Sequence, residues 1–131
     1  MESITRIIVI DDDPINNLIC RQTIKNTNAD IEVVTFTLPE KGLEYIKNGY
    51  DSSHRDMNTI IFLDINMPTW SGWEFLDNFE NLDETIKKQF NVYMLSSSVS
   101  PLDIERASEN KNVVDYVKKP LKKTVLLNIF S

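Results

Sequence analysis

One cysteine, one histidine and three glycines among 131 residues remove several chemistries at the outset. Cys20 has no partner for an internal disulfide, and with His54 as the lone imidazole the chain offers neither paired imidazoles nor a set of thiolates for a soft metal centre. No N-terminal apolar stretch has the length of a signal peptide or a membrane span. Basic charge is also short. Fourteen Lys and Arg stand against twenty Asp and Glu, and the net charge of −6 argues against binding nucleic acid or an anionic membrane through the overall field. A protein partner or a cation fits that balance better. The expectation is a soluble cytoplasmic protein, a monomer or weak dimer. At 41% hydrophobic and 26% charged, the chain can bury the core of one ordinary domain without disulfides.

What is present is alternation. Ile7 to Ile10, Ile31 to Phe36, Ile60 to Leu63, Val92 to Leu95 and Val113 to Val117 are short apolar runs rich in β-branched or aromatic residues, and each reads as a strand. Helical segments separate them: Pro14 to about Thr27, Leu38 to Lys47, Gly72 to Leu82, Pro101 to about Asn110 and Leu121 to Phe130. Asp13 before Pro14 is an N-cap followed by a proline at the first helical position, and the helix it starts places Ile19, Cys20, Thr23 and Ile24 near one face. The order is (βα)5. Nearly continuous apolar strands imply burial on both faces, so the fold class expected is α/β, a doubly wound parallel five-stranded sheet. No repeat, linker or second domain is legible, so residues 1–131 read as one domain without an output domain. The longest loop expected, Asn48 to Asn58, is polar and contains His54 as solvated decoration.

Ligands of an open parallel sheet gather beyond the carboxyl ends of its strands. There the sequence places Asp11 and Asp12 after strand one, Asp64 after strand three, Ser96 at the end of strand four, and Lys119 and Pro120 just past strand five. Three carboxylates against one ammonium leave a surplus of about two negative charges, costly between low-dielectric walls unless a divalent cation neutralises it or some carboxylates stay protonated. Oxygen ligands alone favour a hard ion such as Mg2+, with Mn2+ able to substitute. A carboxylate nucleophile, a metal, a lysine and a hydroxyl suit phosphoryl transfer onto aspartate.

"DDDP" at Asp11–Pro14, "LDINMPTWSGWEFL" at Leu63–Leu76, "MLSSS" at Met94–Ser98 and "DYVKKPL" at Asp115–Leu121 together resemble the receiver domains of two-component response regulators, over essentially the whole chain. The resemblance implies a flavodoxin-like strand order 2-1-3-4-5, one of the common orders of doubly wound folds. It implies Asp64 as phosphoacceptor, Asp12 as direct Mg2+ ligand with Asp11 acting through metal-bound water, and Asn66 contributing its backbone carbonyl. Lys119 would contact the phosphoryl group, Ser96 would be the switch hydroxyl, and Tyr116 would follow it. The Lys119–Pro120 bond sits where the family commonly has a cis peptide. The donor would be a histidine kinase or histidine phosphotransfer protein. The output would be a downstream protein bound by the fourth helix, fifth strand and fifth helix, about Pro101 to Phe130.

The chain departs from the family pattern in its longer interval from Asp11 to Asp64, in Ser96 where threonine is commoner, and in lacking the glycine often found before the fifth strand. Rival readings are an interaction module that is never phosphorylated, and an aspartyl-phosphate phosphohydrolase. The hydrolase needs a second aspartate where Asn66 stands. A flavodoxin-like cofactor binder would need a phosphate-cradling loop after strand one, and that loop carries three negative charges instead. Other assignments are structural: Trp73 in the core, Trp70 bordering the mouth of the site, Lys118 in solvent. Tyr116 reads equally as a half-buried structural tyrosine and as a switch.

Overall fold

β-branched residues lose little by adopting extended backbone, and their alternation sends neighbours to opposite faces of a sheet. The computed structural model describes residues 4–48, 58–98 and 100–131. Five strands, β1 (Ile4–Ile10), β2 (Glu32–Phe36), β3 (Asn58–Leu63), β4 (Phe90–Ser96) and β5 (Val113–Lys118), form one sheet in the order β2-β1-β3-β4-β5. Every pairing is parallel. The strands exceed the apolar runs at several ends because the backbone ladder continues through polar residues such as Arg6, which pairs with Glu32 on one side and Thr59 on the other.

Alternation along β1 divides the core. Ile8 and Ile10 point to the face covered by α2 (Pro39–Asn48), α3 (Gly72–Glu80), α4 (Glu84–Lys87) and α5 (Pro101–Glu109). Ile7 and Val9 point to the face covered by α1 (Pro14–Thr27) and α6 (Lys123–Phe130). Both layers are apolar, which explains why β1 and β3 read as unbroken hydrophobic runs. Phe62, Phe75 and Phe79 are among the largest fully buried side chains. Among the described residues no helix is long and apolar enough to cross a membrane.

Helix α4 was not anticipated in the sequence, where the third helix was expected to run on to Leu82. The described chain therefore has six helices, not five. Helix α3 ends at Glu80, and a new turn begins after Asp83, whose carboxylate accepts from the Thr85 backbone N–H at 3.0 Å. Buried Lys87 fastens that turn, with Nζ 3.0 Å from the Glu80 carbonyl and 2.7 Å from Glu84 Oε1. A second correction concerns α1. Ile19 is 41% exposed, and the buried stripe is Asn16, Asn17, Cys20 and Ile24. Asp13 caps α1 as expected, accepting from Ile15 N–H at 2.9 Å. Helix α6 starts at Lys123, two residues later than expected, because Lys122 as N-cap holds an extended backbone. The segment expected as the long loop, with His54, lies outside the described residues between Asn48 and Asn58.

The start of α3 is pressed onto the end of β3. Gly72 N–H donates to the Ile65 carbonyl at 2.7 Å, and a Cβ added at Gly72 would stand 2.5 Å from the Asp64 carbonyl oxygen and 3.1 Å from Ile65 Cα. Those are backbone atoms and cannot rotate away. Gly72→Ala is therefore expected to destabilise the fold by about 1–3 kcal/mol, as overpacking does, measurable as a lower urea midpoint with unchanged slope. An unchanged midpoint would mean that α3 can shift without loss.

Candidate functional site at the carboxyl ends of the strands

The ladder of the sheet runs one residue past several strands and so fixes the backbone of the site. Asp11 N–H donates to the Phe36 carbonyl at 3.0 Å, Asp64 N–H to Ile10 at 2.9 Å, and Lys119 N–H to Ser96 at 2.9 Å. With Ile10 opposite Leu63 and Ser96 opposite Lys118, these residues are brought side by side. Carboxylate oxygens of Asp11, Asp12 and Asp64 lie within 4.8 Å of one another; Asp11 and Asp64 are buried and Asp12 is exposed. Lys119 Nζ is 2.6 Å from Asp11 Oδ2 and 3.5 Å from Asp64 Oδ1.

Asp11 is the most tightly held member. Its Oδ1 accepts from Asp13 N–H at 2.9 Å, and its Oδ2 accepts from Asn16 Nδ2 at 2.8 Å as well as from the lysine. Asp64 has the Ile65 N–H on Oδ1 at 2.9 Å. Burial pushes the Asp64 carboxyl up to about 6, and the Asp11 charge adds to this; Lys119 and the Ile65 N–H oppose it without prevailing. Lys119 feels the reverse balance. Burial works to lower it, but its hydrogen bond to Asp11 and the charges of Asp11 and Asp64 together hold the ammonium above its usual range. The donor set is all oxygen and open to solvent at Asp12, which fits a hard divalent cation that keeps part of its water shell.

The other expected residues lie on β4, on β5, and in or just after the segments that follow β3 and β5. Ser96 is buried at the end of β4, and its Oγ accepts from Ser98 N–H at 3.1 Å. Tyr116, half-buried on β5, donates its hydroxyl to the Ser98 carbonyl at 2.7 Å. Asn66 is exposed two residues past Asp64, and the Lys119–Pro120 peptide is cis. Lys118 is exposed and Trp73 is buried, as expected, with the Arg106 guanidinium 4.6 Å over the Trp73 ring. Trp70 packs against the core of the α2–α5 face.

Two asparagines at the site were missed in the sequence. Asn16 reaches the Asp11 carboxylate, and Asn17 Nδ2 donates to the Asp11 backbone carbonyl at 3.0 Å. The signal was available: Asn16, Cys20 and Ile24 are spaced by four, so an amide occupies a helical stripe whose other members are buried. The clue was obscured because Ile15, Leu18 and Ile19 are apolar and suggest the wrong face.

The raised Asp64 value fixes a sign for stability. The folded protein holds this proton more tightly than the unfolded chain, whose aspartates titrate near 3.8, so the folded state gains from protonation below about 6. This contribution is complete below about 4, fades between about 4 and 6, and is gone above. Without divalent cations, Asp64→Asn should thus be more stable than the natural chain at pH 7.5, by about 1–3 kcal/mol, and the gap should close near pH 4. Melting temperatures across that range test this; a gap independent of pH would contradict it.

Comparison with known proteins is consistent with this geometry. Residues 7–131 match the model of the family described as "Response regulator receiver domain". A two-component response regulator from Cytophaga hutchinsonii is 32% identical, with 98% of this chain and 96% of that one covered and a TM-score of 0.84. A response regulator receiver protein from Dyadobacter fermentans is 25% identical over 95% and 94% of the two chains, at a TM-score of 0.83. A CheY-like receiver domain protein from Methanospirillum hungatei, 23% identical, shares the fold at a TM-score of 0.74, with 97% of this chain and 90% of that one covered. A search of curated protein sequences gave no match. With the family model spanning nearly the whole chain and the acidic residues, hydroxyl and lysine gathered at the strand ends, this chain belongs to the response regulator receiver domain family of two-component signalling.

Proposed function

We propose that this chain is a phosphoacceptor in a two-component phosphorelay, working in the cytoplasm as a switch and not as a turnover enzyme. The observation that carries the reading is Asp64: a buried strand-end carboxylate within 4.8 Å of two others and 3.5 Å from a lysine ammonium. The donor would be phosphohistidine on a histidine kinase or histidine phosphotransfer protein. An Asp64 oxygen forms the new P–O bond as the N–P bond breaks; its electron pair returns to the imidazole nitrogen, which then takes a proton. Mg2+, or Mn2+ in its place, supplies charge neutralisation to the phosphoryl oxygens and would be held by Asp11, Asp12, Asp64 and the Asn66 carbonyl. Lys119 follows the charge, moving its ammonium from Asp11 toward the phosphoryl group.

A hydroxyl chain supports the switching part. Ser96 Oγ holds Ser98 N–H, and the Ser98 carbonyl holds the Tyr116 hydroxyl. Turning Ser96 toward a phosphoryl oxygen releases the Ser98 amide and loosens the acceptor on which Tyr116 rests. Exposed Leu102, Ile104, Val114 and Leu127 lie on α5, β5 and α6, the surface assigned to the downstream protein. Exposed Ile15, Leu18 and Ile19 on α1, which begins beside Asp13 at the acidic cluster, suit the approach of the donor.

Incubation with acetyl phosphate and Mg2+ should add the mass of one phosphoryl group to the intact chain, and the gain should vanish with chelator or in Asp64→Asn. A modification that persists in that variant would remove Asp64 from its role. Ser96→Ala should still accept phosphate yet fail to rearrange Tyr116, since a ligand shifts two states only through contacts that differ between them. Amide NMR shifts with and without beryllofluoride read this out: equal changes over residues 101–130 in both proteins would exclude Ser96 as the coupling residue.

A further inference from the structure

Helix α1 buries an amide where its stripe is otherwise Cys20 and Ile24, both wholly buried. Asn16 is itself 7% exposed, and a buried amide is tolerated only with partners. Its Nδ2 lies 2.8 Å from Asp11 Oδ2 and 3.7 Å from Cys20 Sγ. The geometry points to Asn16 as a positioning residue that holds the Asp11 carboxylate in the orientation needed for Mg2+, an inference that rests on the proposed function of the same site.

A carboxylate offers about four lone-pair directions. In Asp11 one goes to Asp13 N–H on Oδ1, and two go to Asn16 and Lys119 on Oδ2. Asp13 and Asn16 therefore grip opposite oxygens, and both belong to the start of one helix. Two such holds stop the carboxylate rotating about Cβ–Cγ. Lys119 cannot serve as a permanent hold, because its ammonium sits between Asp11 at 2.6 Å and Asp64 at 3.5 Å and must be free for the phosphoryl group. Asn16 has no second carboxylate to serve. Being neutral, it fixes direction without cancelling the negative charge that attracts the cation, which a second lysine would do. Asn17 adds to the grip from the next position, donating to the Asp11 carbonyl at 3.0 Å and to the Phe36 carbonyl at 3.4 Å.

Groups that orient metal ligands by hydrogen bonding typically change metal affinity by about 10–100-fold when removed. The test is calorimetric titration of the unphosphorylated chain with MgCl2. Asn16→Leu, which suits a stripe shared with Ile24, and Asn16→Ala should each weaken Mg2+ binding by about tenfold or more while staying folded by circular dichroism. Ile24→Val, which loosens the same stripe without touching Asp11, should melt at lower temperature and keep wild-type affinity. Wild-type affinity in either folded Asn16 variant would overturn the inference, and so would equal weakening in Ile24→Val, which would mark the effect as general loosening of α1. The underlying reading fails separately: a natural chain that binds no Mg2+, or an Asp12→Ala variant that binds it unchanged, would overturn the metal site itself.

Discussion

The contact between Lys119 and Asp11, at 2.6 Å, balances a site that holds more negative than positive charge. Two carboxylates, Asp11 and Asp64, are buried beside each other, and a single ammonium serves both unequally. Asp64 receives the weaker share. Burial and the neighbouring charge consequently hold its proton on up to about pH 6. The sheet allows no relaxation of this arrangement, because the hydrogen bonds from Asp11 to Phe36, Asp64 to Ile10 and Lys119 to Ser96 are ladder bonds. The unfavourable charge is thus imposed by strand order, and on the proposed reading a divalent cation relieves it.

Rigid and movable parts of the site come from different elements. The carboxylate side rests on backbone ladders, on the first turn of α1 and on the close approach of Gly72 to the Asp64 main chain. A bulge or shift there would disturb the sheet itself. The described residues after β4 are held by single hydrogen bonds instead: Ser98 N–H on Ser96 Oγ, Ser100 N–H on the Ser98 hydroxyl, and the Tyr116 hydroxyl on the Ser98 carbonyl. Each of these is worth about 1 kcal/mol net, so on the proposed reading a charge-assisted bond to a phosphoryl oxygen would outweigh the loss of one. On the proposed reading, chemistry and response are separated by how much structure each bond carries.

The sheet was legible in the sequence because its signal is redundant. Five short apolar runs rich in β-branched or aromatic residues, with helical segments between them, admit few other folds, and the strand-end residues follow from knowing where the runs stop. Asp13 as N-cap was readable from local chemistry alone, and the cis Lys119–Pro120 bond from the family resemblance. What escaped was tertiary. Helix α4 depends on Lys87 finding Glu80 across a bend, and "DETIKK" has no apolar period to announce it. The buried face of α1 was misread in part because Ile19 looks like core, whereas its neighbours Asn16 and Asn17 are inside to serve Asp11. Hydrophobicity predicts burial poorly where a buried charge needs donors.

On the proposed reading, the charge balance of the site requires phosphorylation to draw on the Ser96 hydroxyl. Asp11, Asp12 and Asp64 against Lys119 leave the site at about −2, which one Mg2+ brings to zero. An acyl phosphate in place of the Asp64 carboxylate carries about one further negative charge. Lys119 is already counted, and no other cation among the described residues pairs with Asp11 or Asp64. The remaining stabilisation has to come from neutral donors that can turn toward the phosphoryl oxygens. Asn16 and the Asp13 N–H are engaged with Asp11 and fixed by α1. Ser96 is different: its hydroxyl hydrogen can rotate, and its present hydrogen bond, to Ser98 N–H, uses it as an acceptor. Its capacity to donate is therefore unspent where the new charge arrives, and the Ser98 carbonyl on which Tyr116 rests lies two residues away.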